Sequence, residues 1–131
     1  MRNICINFGH EFSPETTAFV ENLGYEIVRY NFFLKHVTKA YTACERVVRN
    51  LVDEGILNNQ VNVLIVPNGV TVTALYLTAM IAGVTGQHPS VLYLTWNEGL
   101  NCYAPNPDNP VVDLQHTKNT ARSWRPGTVV V

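Results

Sequence analysis

Charge is scarce in this chain. Only 15% of its 131 residues are Asp, Glu, Lys or Arg, against about 25% in an average soluble domain. Nine cations nearly cancel ten acids, leaving a formal net charge of −1. There is thus no global field for gripping duplex nucleic acid. A small domain with so little charge is expected to bury surface against something else, and a homodimer face is the simplest candidate. Cysteine is sparse too: Cys5, Cys44 and Cys102 are widely spaced and form no CxxC pair, which argues against a disulfide framework or a zinc site and for a reducing compartment. No basic segment precedes a long apolar stretch, and no apolar run reaches transmembrane length. The expected location is the cytoplasm, with no membrane partner. Paired carboxylates, His/Cys metal spacing, a nucleophile elbow and a Ser/His/Asp set are all missing. So are GxGxxG and GxxxxGK(S/T). The chain reads as a binder before it reads as an enzyme, with no cofactor and no metal expected.

What is present is a strand–helix alternation. Residues 3–8 form a short apolar run of strand type that empties through Gly9-His10 into a helix start, with Ser13 as N-cap and Pro14 at the first helical position. Phe19, Val20 and Leu23 then recur at helical spacing, and Gly24 stops the helix. Tyr25 to Tyr30 alternates as a second strand. Asn31 to Val37 is irregular. From Thr38 a stripe of Ala40, Tyr41, Cys44, Val47, Val48, Leu51 and Val52 opposes a wet face, and Gly55 ends that helix. Val61 to Val66 is apolar on both faces and therefore central in a sheet.

After Pro67-Asn68-Gly69 a third helix, Thr71 to Thr85, is small or apolar all round. One side can lie on the sheet; the other needs a second cover, for which the same helix of a partner chain is the natural choice. Ser90 to Trp96 is a fourth strand. Residues 97–131 read as an irregular, turn-rich tail, with short strands at Val111–Gln115 and Thr128–Val131. The whole is expected to be one domain over 1–131.

The order βαβαβαβ predicts a doubly wound, mainly parallel α/β sheet of Rossmann-like type, with strand order near 2-1-3-4. The turns after the first and third strands then face each other across one crevice at the switch point. Gly9 and His10 lie on one side of it, Asn68, Gly69 and Val70 on the other. Backbone amides at a helix N-terminus favour an anion there. His10 is either a phosphate donor or general acid, or an exposed turn residue. Thr71 and Thr73 are N-caps or ligand hydroxyls, with capping the default. Trp96 and Asn97 end the fourth strand, where an indole can stack a base or finish a core. Lys35, His36 and Lys39, and the tail residues Arg122, Trp124 and Arg125, are local cations that could meet a compact anion or simply be solvated.

Two of these stretches carry a resemblance. Ile6-Asn7-Phe8-Gly9-His10-Glu11-Phe12-Ser13-Pro14-Glu15 is similar to the opening of small CRISPR-associated Csx proteins of type III systems, and Val66-Pro67-Asn68-Gly69-Val70 resembles their Pro-x-Gly turn after the central strand. The resemblance implies a CARF-type homodimer that binds a cyclic oligoadenylate second messenger, most simply cyclic tetra-adenylate. Such a protein either sequesters the ring or opens it as a metal-independent ring nuclease. On that reading Asn7, Phe8, Gly9, His10, Asn68, Gly69, Val70, Thr71, Trp96 and Asn97 are the ligand contacts, and His10 is the catalytic candidate if the ring is cut. Higher assembly on ligand binding is a further expectation. A flavodoxin-like or other nucleotide-binding enzyme would use the same crevice. A purely structural module would instead use the apolar third helix and Phe32-Phe33-Leu34.

Overall fold

The structure, a computed structural model, describes residues 1–30, 39–67 and 69–127. Seven strands and four helices follow one another among them: β1 (Arg2–Asn7), α1 (Pro14–Asn22), β2 (Glu26–Arg29), α2 (Ala40–Asp53), β3 (Val61–Val66), α3 (Thr71–Thr85), β4 (Ser90–Leu92), β5 (Leu94–Asn97), β6 (Cys102–Pro105), β7 (Val111–Asp113) and α4 (Leu114–Arg122). Residues 31–38 and 128–131, which include the Phe32-Phe33-Leu34 and Lys35-His36 candidates and the expected terminal strand, lie outside the described residues, as does Asn68.

The main sheet has the order β2-β1-β3-β4-β7. β1 pairs in parallel with β2 and β3, β3 in parallel with β4, and β7 closes the edge antiparallel to β4. The expected order 2-1-3-4 is therefore present, extended by one antiparallel edge strand. The architecture is α/β with a mixed, mostly parallel five-stranded sheet.

Both faces of the sheet are covered, as the two-sided apolarity of β1 and β3 requires. Ile4, Ile6, Val63 and Ile65 pack under α2 and α3 with Cys44, Leu51, Leu77 and Ile81. Cys5, Leu64, Val66 and Leu92 form the opposite layer with Val20 of α1. Burial pushes the Cys5 thiol up to about 12 and raises that of Cys44, because an ionised sulfur has no water there.

Local chemistry sets the helix limits. Ser13 Oγ accepts a hydrogen bond from Thr16 N at 3.2 Å with Pro14 behind it, so α1 starts where the cap and proline place it. α3 ends at Gly86, whose φ of +85° only glycine adopts without strain. Its inner face, Thr73, Leu77, Ile81 and Thr85, is buried. Its outer face is not: Leu75 is 64% exposed, and Ala79 and Gly83 are exposed with it. Among the described residues only one side of this uncharged helix is covered. On α2 the expected stripe is narrower than its sequence suggests: Ala40, Cys44, Val47, Val48 and Leu51 are buried, whereas Tyr41 and Val52 are exposed.

The region after residue 97 departs most from its expected irregularity. The fourth strand breaks at Tyr93 into β4 and β5, and β5 pairs antiparallel with β6 as a separate two-stranded sheet. Residues 114–122 are helical, because Asp113 Oδ1 accepts from His116 N at 2.9 Å and starts a turn that the local pattern alone hides. Among the described residues no helix is long and apolar enough to cross a membrane.

Candidate functional site

The ends of β1 and β3 build the floor of the crevice. Phe8 N donates to Val66 O at 2.8 Å, which carries the β1–β3 ladder one step past the strands. There the chains part. A Cβ placed on Gly9 would lie 3.4 Å from Pro67 O, so the two turns are in near contact. The turn after β1 is held by one buried side chain: Asn7 Oδ1 accepts from Gly9 N at 2.9 Å, and Asn7 Nδ2 donates to His10 O at 2.9 Å.

Above this floor lies an open cavity of about 900 Å³, within the range of small-molecule sites. One wall is the β1 exit with Gly9, His10 and Glu11, leading into Ser13 and Thr16 of α1. Pro67 and Gly69 form the second wall, and Tyr93, Trp96 and Tyr103 of the β5–β6 region the third. Crevices at the carboxyl ends of strands, where the order reverses, are the usual ligand position in open α/β sheets. Its surface is largely apolar and aromatic, and no Lys or Arg among the described residues lines it. Glu11 is drawn towards Arg29 at 3.5 Å.

The cavity brings together Gly9, His10, Gly69 and Trp96 of the expected contacts. Asn68 lies outside the described residues; the remaining ones do not line the cavity. Asn7 is 2% exposed with its amide committed to the turn. Phe8 is buried in the α2/α3 layer, tilted against Tyr30 at 6.5 Å. Val70 is the N-cap of α3 and supplies no side-chain cap bond, and Thr71 follows it, exposed. Thr73 is neither cap nor crevice residue: it is fully buried, its carbonyl accepts from Cys44 Sγ at 3.8 Å, and its Oγ1 has no partner among the described residues. Asn97 turns inward to its own hairpin, where Oδ1 accepts from Leu100 N at 3.0 Å. Lys39 and the α4 cations Lys118 and Arg122, with Trp124 and Arg125 beyond, do not line the cavity.

Phe12, Tyr93, Asn101, Cys102 and Tyr103 line the cavity, although none of them is an expected ligand contact. A signal for the hairpin exists. Strand-forming residues up to Trp96 and from Tyr103 flank a short Gly99-containing turn, closed by Asn101 at a φ of +53°, a conformation asparagine tolerates.

A second hollow of about 230 Å³ lies at the opposite end of the strands, lined by Tyr25, Thr85, His88, Asp113 and Gln115 among others. Its polar groups largely serve local structure: Thr85 Oγ1 donates to Ile81 O, and Gln115 Oε1 accepts from His88 N. Burial, then Cys5 and Asp113, raise the Tyr25 phenol above its ordinary value. Among the described residues no three His, Cys, Asp or Glu side chains gather as a metal site.

Comparison with protein-family models, with curated proteins and with solved structures returns no match.

Proposed function

We propose that this protein is a Rossmann-like, CARF-type ligand-binding domain that takes a cyclic oligoadenylate, most simply cyclic tetra-adenylate, into the β1/β3 crevice. It acts by sequestration, lowering the free second messenger and damping type III CRISPR signalling in the cytoplasm. The observation that carries the reading is the meeting of the Gly9-His10 and Pro67-Gly69 turns on the floor of one roomy cavity. The resemblance of those same two stretches to the Csx proteins names the ligand. The active form is a homodimer joined through the uncovered face of α3, around Leu75, Ala79 and Gly83. A two-fold assembly suits a ligand that is itself near two-fold.

Ring opening is the second reading, and the position of His10 on the cavity wall supports it. There the ribose 2′-oxygen attacks the adjacent phosphorus, the 5′-oxygen leaves, and His10 manages one proton. Among the described lining residues there is no second histidine, and the one acid, Glu11, faces Arg29, so sequestration is preferred. Labelled cyclic tetra-adenylate incubated with excess protein separates the outcomes on native and denaturing gels. Retardation with intact ring supports sequestration, linear product supports the nuclease, and neither retardation nor linear product refutes both.

A further inference from the structure

We infer that the β5–β6 hairpin is a stacking clamp for a nucleobase, and that the ring of the ligand, more than its phosphates, carries the affinity of the crevice. The inference rests on the crevice being a nucleotide site. It deepens that reading by saying which part of the nucleotide is recognised and by what.

The geometry of two aromatic side chains is the first support. Trp96 and Tyr103 are directly opposed across the two strands, so both rings stand on the same face of the hairpin. Their centroids are 5.4 Å apart and their planes meet at 79°. They form a corner rather than a closed stack: each ring offers an open face, and a flat heterocycle in the corner stacks on one ring while meeting the edge of the other. Trp96 is 52% and Tyr103 61% exposed, which leaves roughly 100 Å² of each wet in the free chain. Tyr93, also exposed, lines the same cavity.

The charge inventory is the second. A site that grips phosphates by charge is lined with Lys or Arg. Here the described lining holds neither, and its acid, Glu11, is met by Arg29. Among the described lining residues, what remains for phosphates is backbone amides, His10 and uncharged side chains such as Ser13 and Asn101. The large complementary surface is aromatic.

The third support is the way the hairpin is held. It leaves the main sheet at a pinned kink: Tyr93 N donates to Pro110 O at 2.8 Å, and Asn106 N donates to Tyr93 O at 2.9 Å. Asn106 Oδ1 accepts from both Asp108 N and Asn109 N. The kink turns the aromatic corner over the strand ends before any ligand arrives, so little ordering remains for binding to supply.

Only two tryptophans are present, so Trp124→Phe leaves Trp96 as the sole indole reporter. This variant is titrated with cyclic tetra-adenylate, adenosine 5′-monophosphate, adenosine and ribose 5-phosphate at up to millimolar concentration. Fluorescence is followed alongside calorimetry. Base-bearing ligands are expected to quench Trp96, and ribose 5-phosphate is not. Trp96→Ala and Tyr103→Ala should each weaken binding roughly 5- to 150-fold, while Trp96→Phe and Tyr103→Phe retain most of it. Raising salt from about 50 to 200 mM should change the affinity by less than about threefold, where a site meeting all four phosphates with cations would lose a factor of roughly 50 to 150. Quenching by adenosine without binding of cyclic tetra-adenylate keeps the clamp and overturns the proposed messenger. Tight cyclic tetra-adenylate binding that survives both alanine changes, or is matched by ribose 5-phosphate, keeps the crevice and overturns the clamp. No quenching by any base-bearing ligand overturns it as well.

Discussion

Asn7 separates a structural from a contact role most sharply. Its side chain is 2% exposed and makes two hydrogen bonds, to Gly9 N and to His10 O, both at 2.9 Å. A net hydrogen bond in a folded protein contributes about 0.5–1.5 kcal/mol. Gly9 is half-buried and His10 exposed, so water can reach the groups that Asn7→Ala abandons. The expected loss is therefore near the middle of the range for two bonds, about 2 kcal/mol. For a chain of this length that lowers Tm by about 7 °C, from an unfolding entropy near 2.1 cal/mol/K per residue. Asn7→Asp keeps the acceptor for Gly9 N, loses the donor to His10 O, and sets a buried carboxylate against a carbonyl. It should be at least as destabilising as alanine at neutral pH. Chemical denaturation monitored by far-UV circular dichroism gives the stabilities, and calorimetry with cyclic tetra-adenylate gives the affinities. Both variants should lose stability first and affinity only as far as the turn loosens. If Asn7→Ala stays within about 0.5 kcal/mol of the parent while ligand binding collapses, Asn7 is a direct contact and the assignment to the turn is wrong.

Other perturbations test other parts of the molecule. Cys5 is held protonated in the fold to about pH 12 against an ordinary value of 9.0. The unfolded chain therefore sheds this proton first, and stability, fully present below pH 9, should fall as pH rises from 9 towards 12 by up to about 1.4 kcal/mol per unit. Cys5→Ala should lower stability at neutral pH yet flatten that alkaline slope in denaturation curves. Thr73→Val replaces a fully buried hydroxyl with no partner among the described residues by a methyl of similar shape, and should raise stability by about 1 kcal/mol. If α3 joins two chains as proposed, Leu75→Arg, on its exposed face, should leave the monomer folded and halve the particle mass in analytical ultracentrifugation; a parent that already sediments as a monomer refutes the dimer, and a variant that stays dimeric moves its face elsewhere. Leu77→Ala on the buried face of the same helix should instead cost about 2–5 kcal/mol, with no separate effect on assembly.

Much of this architecture was legible in the residues themselves. β1, α1, β2, α2, β3 and α3 follow from hydrophobic period and from local stops: the Ser13-Pro14 start, the glycines at 24, 55 and 86, and the unbroken apolar run of β3. These signals act over a few residues, so they survive without any knowledge of the fold. The alternation of strands and helices also sufficed for the order 2-1-3-4, because short right-handed crossovers leave few alternatives. From that order came the crevice, with Gly9 and His10 facing the turn after β3.

The tertiary structure decided which side chains the crevice sees. Asn7 and Phe8 are neighbours of Gly9 in sequence, yet strand alternation sends Phe8 to the α2/α3 layer, and the turn takes the Asn7 amide for itself. Val70, Thr71 and Asn97 are near the crevice in sequence but line none of it. Conversely, Tyr103 is no neighbour of the switch point along the chain; it reaches the cavity because β5 and β6 pair beyond a kink whose hydrogen bonds join Tyr93 to Asn106 and Pro110. Such long-range pairing leaves no period in the sequence. Local chemistry set where each element begins and ends, whereas the aromatic third wall exists only because distant strands meet.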